Sequence, residues 1–369
     1  MKRKVLLFTN KYEDLIKSRL EFIYFLNHKN ILCDVFHPNH VDKKKEHSFN
    51  VFTYYYLRNY LMIFNVPFVL LKLAQLNKNN YDIIYSIKIF PNIVTGLYKF
   101  FFNNNQKIVA LIAGRGLFQE IDNSFIIRLI FKFYVKVLKQ FDEIIVQNYR
   151  DKLFFQKYLN RNVNLVNGSG YKINSDINKI TESLSINAFK DINTNKIIFS
   201  FPTRIVKSKG IIELIEAFND PTINCNATLL ISGWLDQKSL KRYFKKHINN
   251  KNIFFVGNND IEEIMNISDC IILPSKYGEG VPRILIEGLA HSKPIITSST
   301  QGCEDTFDNN GFKLTEVSKL FIVNAVNNFC LLTDFELNNM KANSLSLFNK
   351  KFHSDIIFND TLEIINSIK

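Results

Sequence analysis

The sequence predicts an α/β protein of two domains, each built around a parallel sheet. Three observations carry that expectation. The chain has 369 residues, 46% of them hydrophobic, enough for two separate cores. Short apolar runs alternate with helical stretches through both halves. One polar stretch, residues 174–195, interrupts the alternation near the middle.

In the first half, strands are expected at 5–9, 31–36, 83–86, 107–112, 143–147 and 163–166. The opening Met1-Lys2-Arg3-Lys4 and its apolar run mimic a secretory leader. The run is too short before Thr9-Asn10-Lys11, so it reads as the first strand. Residues 123–141 read as a helix in which Arg128, Lys132, Lys136 and Lys139 recur among Phe, Ile, Leu, Tyr and Val. Such a basic stripe suits an anionic membrane surface, and equally suits a core helix with a basic solvent face. The second half begins near Lys196, with strands at 197–201, 228–232, 252–256, 270–274 and 294–298. Helices follow the first of these at 210–218 and the fourth from Pro282, a residue suited to the first helical position. A terminal helix is expected from 353. The domain limits are therefore drawn at 1–175 and 176–352, with 353–369 as the last helix.

Composition excludes several classes. Every apolar window, such as 125–135, meets charge before the roughly 20 residues that a membrane-spanning helix needs. The five cysteines (Cys33, Cys225, Cys270, Cys303, Cys330) fit neither a zinc spacing nor a disulfide framework, which suggests reduced thiols in a cytoplasmic protein. No Asp-x-Asp occurs and the seven histidines form no metal-binding pair, so no metal and no cofactor is expected. The formal net charge of +13 points to an anionic partner, but no nucleic-acid motif accompanies it.

Two constellations carry chemistry. In Pro274-Ser275-Lys276-Tyr277-Gly278-Glu279-Gly280-Val281-Pro282-Arg283-Ile284-Leu285-Ile286-Glu287, two glutamates flank a helix start that follows a buried strand. Glycines let the backbone approach a ligand, free N–H groups at the helix start attract phosphate, and carboxylates accept hydrogen bonds from hydroxyls. The bland reading is a helix with one acidic residue near its dipole and another on its surface. Upstream, Arg204 and Lys209 bracket a turn between strand and helix, at the strand end where open α/β sheets bind ligands. Arg grips a diphosphate with a forked pair of bonds and Lys adds a compact charge. Lys207 competes for that role, and Gly210 favours Lys209. Taken alone, basic residues in a surface loop are usually just solvated.

These segments resemble retaining glycosyltransferases of family 4. The match lies in Glu279 and Glu287 at their E-x7-E spacing, in Glu279-Gly280-x-Pro282-Arg283, in Gly302-Cys303-Glu304-Asp305, and in Arg204 to Gly210. The resemblance implies a GT-B fold, with two Rossmann-like domains facing a cleft. It implies that Arg204 and Lys209 hold the donor diphosphate with help from N–H groups at Gly280 and Val281, and that Pro282 also lies on the donor side. Glu279 would contact the sugar, Glu287 the ribose, and backbone near Gly257 and Asn258 the nucleobase. In the first domain, Gly114-Arg115-Gly116-Leu117-Phe118, Val146-Gln147-Asn148 and Asn167-Gly168-Ser169-Gly170-Tyr171 are similar to the branch that extends capsule, O-antigen or glycoprotein glycans on a polyprenyl diphosphate carrier. Gly114, Arg115 and Gly116 are then acceptor-side candidates, together with Arg19 of the first helix. Each glycine alone also fits an ordinary turn.

The expected activity is therefore transfer of a hexose or N-acetylhexosamine from a nucleotide diphosphate, UDP by family habit, to a polyprenyl-diphosphate-linked saccharide. The expected setting is the inner face of the cell membrane. Departures from the pattern are Asn10-Lys11-Tyr12-Glu13-Asp14 in place of a glycine-containing loop, Gly233-Trp234 in place of a glycine-rich turn, and a short tail from 307 to 312. A UDP-sugar 2-epimerase of the same fold and a non-catalytic scaffold of an envelope-assembly complex are the rival readings.

Overall fold

A computed structural model describes residues 2–10, 19–38, 49–54, 64–76, 80–102, 106–173, 195–235, 238–248 and 252–368. The expected join lies around 172–195; its residues 174–194, and the loop from Lys11 to Asp14, lie outside the described residues. The chain divides into two compact units: 1–170 with 354–369, and 171–353.

In the first unit, the order is β1 (Lys4–Phe8), α1 (Leu20–His28), β2 (Leu32–Pro38), β3 (Val51–Tyr54), α2 (Val66–Leu76), β4 (Ile83–Ile87), α3 (Ile89–Phe102), β5 (Lys107–Ile112), α4 (Phe125–Leu138), β6 (Glu143–Val146), α5 (Tyr149–Leu159) and β7 (Asn164–Leu165). The second unit runs β8 (Ile197–Pro202), α6 (Ile211–Phe218), β9 (Ala227–Ser232), α7 (Lys238–His247), β10 (Ile253–Phe255), α8 (Ile261–Ile267), β11 (Cys270–Leu273), α9 (Arg283–Ala290), β12 (Ile295–Ser298), β13 (Gly311–Leu314), α10 (Lys319–Cys330) and α11 (Asp334–Lys351). A last helix, α12 (Ser354–Ser367), belongs to the first unit.

All described strand pairs are parallel. The first sheet has the order β3-β2-β1-β4-β5-β6-β7 and the second β10-β9-β8-β11-β12-β13. In each, the chain starts in the middle, winds outward one way, then returns to wind the other way. The reversal falls between β1 and β4 in the first sheet and between β8 and β11 in the second. Crevices that accept ligands open at such reversals, outside the carboxyl ends of the strands.

The strands are continuous apolar runs because helices cover both faces of a parallel sheet. In the first unit, Leu6, Phe8, Ile84 and Ile108 face one core with α2 to α5, and Val5, Leu7, Ile83 and Val109 face another with α1 and α12. The second unit's main core gathers Phe199, Phe201, Leu229, Ile231, Ile271, Ile284 and Leu285. The α12 helix is sealed to its unit by Phe358, which packs on Phe22 and Phe25, and by Arg3, which donates to the carbonyls of Ile365 (3.0 Å) and Ile368 (2.7 Å).

Two strands, β3 and β13, fall outside the expected set. Both end their sheets as four-residue edge strands, too short to show a period. The unit boundary falls between Gly170 and Tyr171 rather than after 175, and His353 stays with the second unit. The reason is a backbone bridge between Tyr171 and His353 inside that unit. Pro282 caps α9 instead of occupying its first turn, because its ψ of 118° is extended and helical geometry starts at Arg283. No described helix is long and apolar enough by itself to cross a membrane.

Candidate functional site

In the second unit, the loops after β8, β11 and β12 are laced into one structure at the reversal of strand order. Gly210 makes the first lacing possible. It adopts a left-handed conformation (φ 74°), and a Cβ there would stand 2.1 Å from the Pro274 carbonyl oxygen. Lys276 N–H then donates to Ser208 O at 2.8 Å, and the Lys276 ammonium pairs with Glu213 in the first turn of α6. On the other side, Glu279 N–H donates to Gln301 O at 3.1 Å, and the Ser298 hydroxyl donates to Ser275 O at 2.6 Å. Gly302 (φ 78°) lies so close that a Cβ would be 2.0 Å from Gly280 O. Backbone therefore fixes the path of Glu279 and Gly280 from both flanks.

That lacing brings two of the expected residues into contact. Lys209 Nζ lies 3.0 Å from Glu279 Oε1 and donates to the Thr203 hydroxyl, also at 3.0 Å. Arg204 is exposed on the same loop, held in place where Ile205 N–H donates to Trp234 O at 2.8 Å. Two cations and a carboxylate thus share one loop cluster, a disposition able to hold a diphosphate beside a hydroxyl-bearing ring. Beneath it the side chains of Val281 and Cys303 are buried, and burial pushes the Cys303 thiol above its ordinary range.

One turn into α9, Glu287 is buried and accepts from Arg283 Nε at 2.7 Å. Gly257 (φ 77°) follows β10, and its carbonyl accepts from Gly233 N–H at 2.7 Å and from the Ser232 hydroxyl at 2.9 Å. Space beside it is open: nothing lies within 4 Å of where a Cβ would be. Asn258 is exposed next to it.

The first-unit candidates behave differently. Gly114 and Gly116 have positive φ (85° and 53°) in the turn after β5. Between them, Arg115 is committed to α5: its Nε donates to the buried Asp151 carboxylate at 2.7 Å, and its guanidinium lies 4.0 Å from the Phe154 ring centroid. An arginine paired and stacked in this way holds a turn onto a helix. Arg19 is buried just before α1; burial pushes the Tyr85 phenol up, and the Arg19 charge opposes that shift. Sequence reasoning gave no role to Glu262 and His291 and met Tyr171 only at the end of the match at 167–171, yet all three surround Glu287; Tyr171 and Glu262 come from distant segments, whereas the interval of four from Glu287 to His291 is one that helix spacing could have found.

Comparison with known proteins fits this architecture. The sequence of residues 184–327 matches the family model for glycosyl transferases group 1. Sucrose-phosphate synthase from Thermosynechococcus elongatus superposes with a TM-score of 0.81 at 13% identity, over 99% of each chain. HepE from Anabaena, solved in complex with UDP-glucose, superposes with a TM-score of 0.77 at 17% identity, over 99% of this chain and 100% of HepE. The architecture is the GT-B fold. The lysine–glutamate cluster of this chain falls within the segment that the group 1 model matches. An uncharacterized glycosyltransferase of Methanocaldococcus jannaschii is 29% identical over 136 residues. That match spans 35% of this chain and 34% of the archaeal protein.

Proposed function

We propose that this protein is a retaining glycosyltransferase that moves a hexose or N-acetylhexosamine from a nucleotide diphosphate to a lipid-linked saccharide, without a metal. The observation that carries the reading is the Lys209–Glu279 contact, built by backbone lacing at the reversal of the second sheet. HepE's complexes with UDP-glucose and with UDP support a UDP sugar as the donor.

Chemistry follows from what those groups stabilise. As the bond between the anomeric carbon and the diphosphate oxygen breaks, negative charge grows on the leaving diphosphate. Arg204 and Lys209 meet that charge, and Glu279 orients sugar hydroxyls. Glu287 holds the ribose. Retention is accounted for by attack on the face that the diphosphate leaves, with the leaving phosphate taking the acceptor proton, so no protein nucleophile is assigned. Removing one such preorganised donor costs about 100- to 1,000-fold in turnover, which is the expectation for Arg204→Ala.

Isothermal titration with UDP, GDP and ADP tests the donor site directly. Selective binding by the native protein and its loss in an Arg204→Ala/Lys209→Ala variant support the reading. Binding of none of the three favours the scaffold. Product analysis without acceptor separates transfer from epimerisation, since only an epimerase converts the donor alone.

The acceptor class gains support from α4. Its buried side is Phe131, Tyr134, Val137 and Leu138. Its other side exposes Phe125, Ile126, Leu129, Ile130 and Phe133 by between 37% and 77%, beside Arg128, Lys132 and Lys136. An apolar strip flanked only by cations along the helix suits the headgroup boundary of an anionic membrane. We propose the inner face of the cell membrane as the enzyme's setting, a reading that this strip supports. Sedimentation with anionic and neutral vesicles checks it: preferential pelleting with the anionic ones is expected, and equal partition to both contradicts it.

A further inference from the structure

Four side chains form a closed circuit with Glu287. Arg283 Nε donates to Glu287 Oε1 at 2.7 Å, and its guanidinium lies 5.4 Å from the centroid of the Tyr171 ring. The Tyr171 hydroxyl donates to Glu262 Oε1, and Glu262 Oε2 meets His291 Nε2, both at 2.5 Å. His291 closes the circuit, with Nδ1 2.9 Å from the backbone oxygen of Glu287. Arg283, Glu287 and His291 share one face of the α9 region at intervals of four residues, while Glu262 and Tyr171 come from distant segments. Tyr171 is itself tied down by its N–H bond to Phe352 O at 3.3 Å.

Packing alone does not call for such a circuit. Apolar residues of similar volume are often as stabilising as a buried ion pair, whereas the pair fixes direction. The carboxylate of Glu287 is gripped on one oxygen and its helix carbonyl is gripped by His291, so both the side chain and the turn that carries it are held. We infer that Arg283, Tyr171, Glu262 and His291 are positioning residues that aim the Glu287 carboxylate at the ribose hydroxyls of the bound nucleotide. The inference rests on the donor-site reading above and deepens it. It assigns to residues other than the two spaced glutamates the job of distinguishing a ribose from a ring without hydroxyls.

The test is titration of the full-length protein with UDP and with 2′,3′-dideoxy-UDP, for the native chain and for Glu287→Gln, Arg283→Met, Glu262→Gln and Tyr171→Phe. The native protein is expected to prefer UDP by about tenfold or more, the value of a hydrogen bond to a charged group. Glu287→Gln should bring the ratio near one. Arg283→Met, Glu262→Gln and Tyr171→Phe should lower it to about two- or threefold, the remainder of a misdirected bond, with the affinity for the dideoxy analogue unchanged. Tyr171→Phe keeps the ring over Arg283 and removes one hydroxyl, so it guards against a variant that fails to fold. If Glu287→Gln loses the preference and the other variants keep it, the inference is overturned while the donor site stands. If the variants weaken both ligands in parallel, the circuit only supports the fold, and the inference is again overturned. A native protein that binds neither ligand removes the donor-site reading and the inference together.

Discussion

At the scale of the residue, Lys209 has two competing anions: Glu279, which it touches at 3.0 Å, and the diphosphate it is proposed to hold. A half-buried pair of this kind is worth about 0.2–1 kcal/mol. Removing the carboxylate should therefore tighten UDP binding by up to about fivefold while turnover falls, because the sugar loses its orienting group. Glu279→Gln measured by titration and by steady-state rate shows whether the two parameters move in these opposite directions. Gly302→Ala should act through backbone. Its Cβ would collide with Gly280 O, in a conformation that costs an L residue about 1–3 kcal/mol, so a lowered melting temperature and weakened UDP binding are expected together. The sequence displays Glu279, Glu287, Arg204 and Lys209 because each lies at a fixed distance from a glycine or a strand end. It does not display the commitment of Arg115 to Asp151, or that of Tyr171 to Glu262. Those choices depend on which distant segments the sheets bring side by side.

At the scale of the element, strands inside the sheets are legible and edges are not. Cys270 to Leu273 is buried on both faces and reads as a strand from its apolar run, whereas Gly311–Leu314 is half-exposed, with one charge in four residues. Helix α4 shows the reverse difficulty. Its basic stripe is visible in the sequence, but the exposure of Phe125, Ile126 and Leu129 emerges only once Phe131 and Tyr134 are seen to fill the core. Leu129→Glu/Phe133→Glu should abolish anionic vesicle binding without lowering the melting temperature, since neither side chain is buried; pelleting and thermal melts check both halves. The thiols also sort by element. Cys33 in β2, Cys270 in β11 and Cys303 are buried, and burial pushes each thiol up, while Cys225 is exposed. A thiol reagent should label Cys225 first in the native protein and the three buried sites only on unfolding, as peptide mapping would show.

At the scale of the molecule, the two units share a sensitivity to alkali. Burial holds the phenols of Tyr85, Tyr134 and Tyr171 above the ordinary value of 10.0, and burial with Glu216 nearby pushes Tyr243 up to about 12. The folded protein keeps these protons when the unfolded chain releases them. Their contribution to stability is thus intact below pH 10 and is lost as the pH rises above it. Melting temperature should be flat from pH 7 to 9 and fall beyond 10, with part of the tyrosine absorbance change delayed until unfolding. Finally, the first unit closes on α12, which follows the entire second unit in the chain. On the ribosome, β1 and α1 emerge early, yet Phe358, which packs on Phe22, and the carbonyls that the Arg3 side chain binds are synthesised only after residue 353. The second unit is contiguous and has every segment it needs before the first does, so its core is free to form while an apolar face of its elder neighbour still waits for a cover.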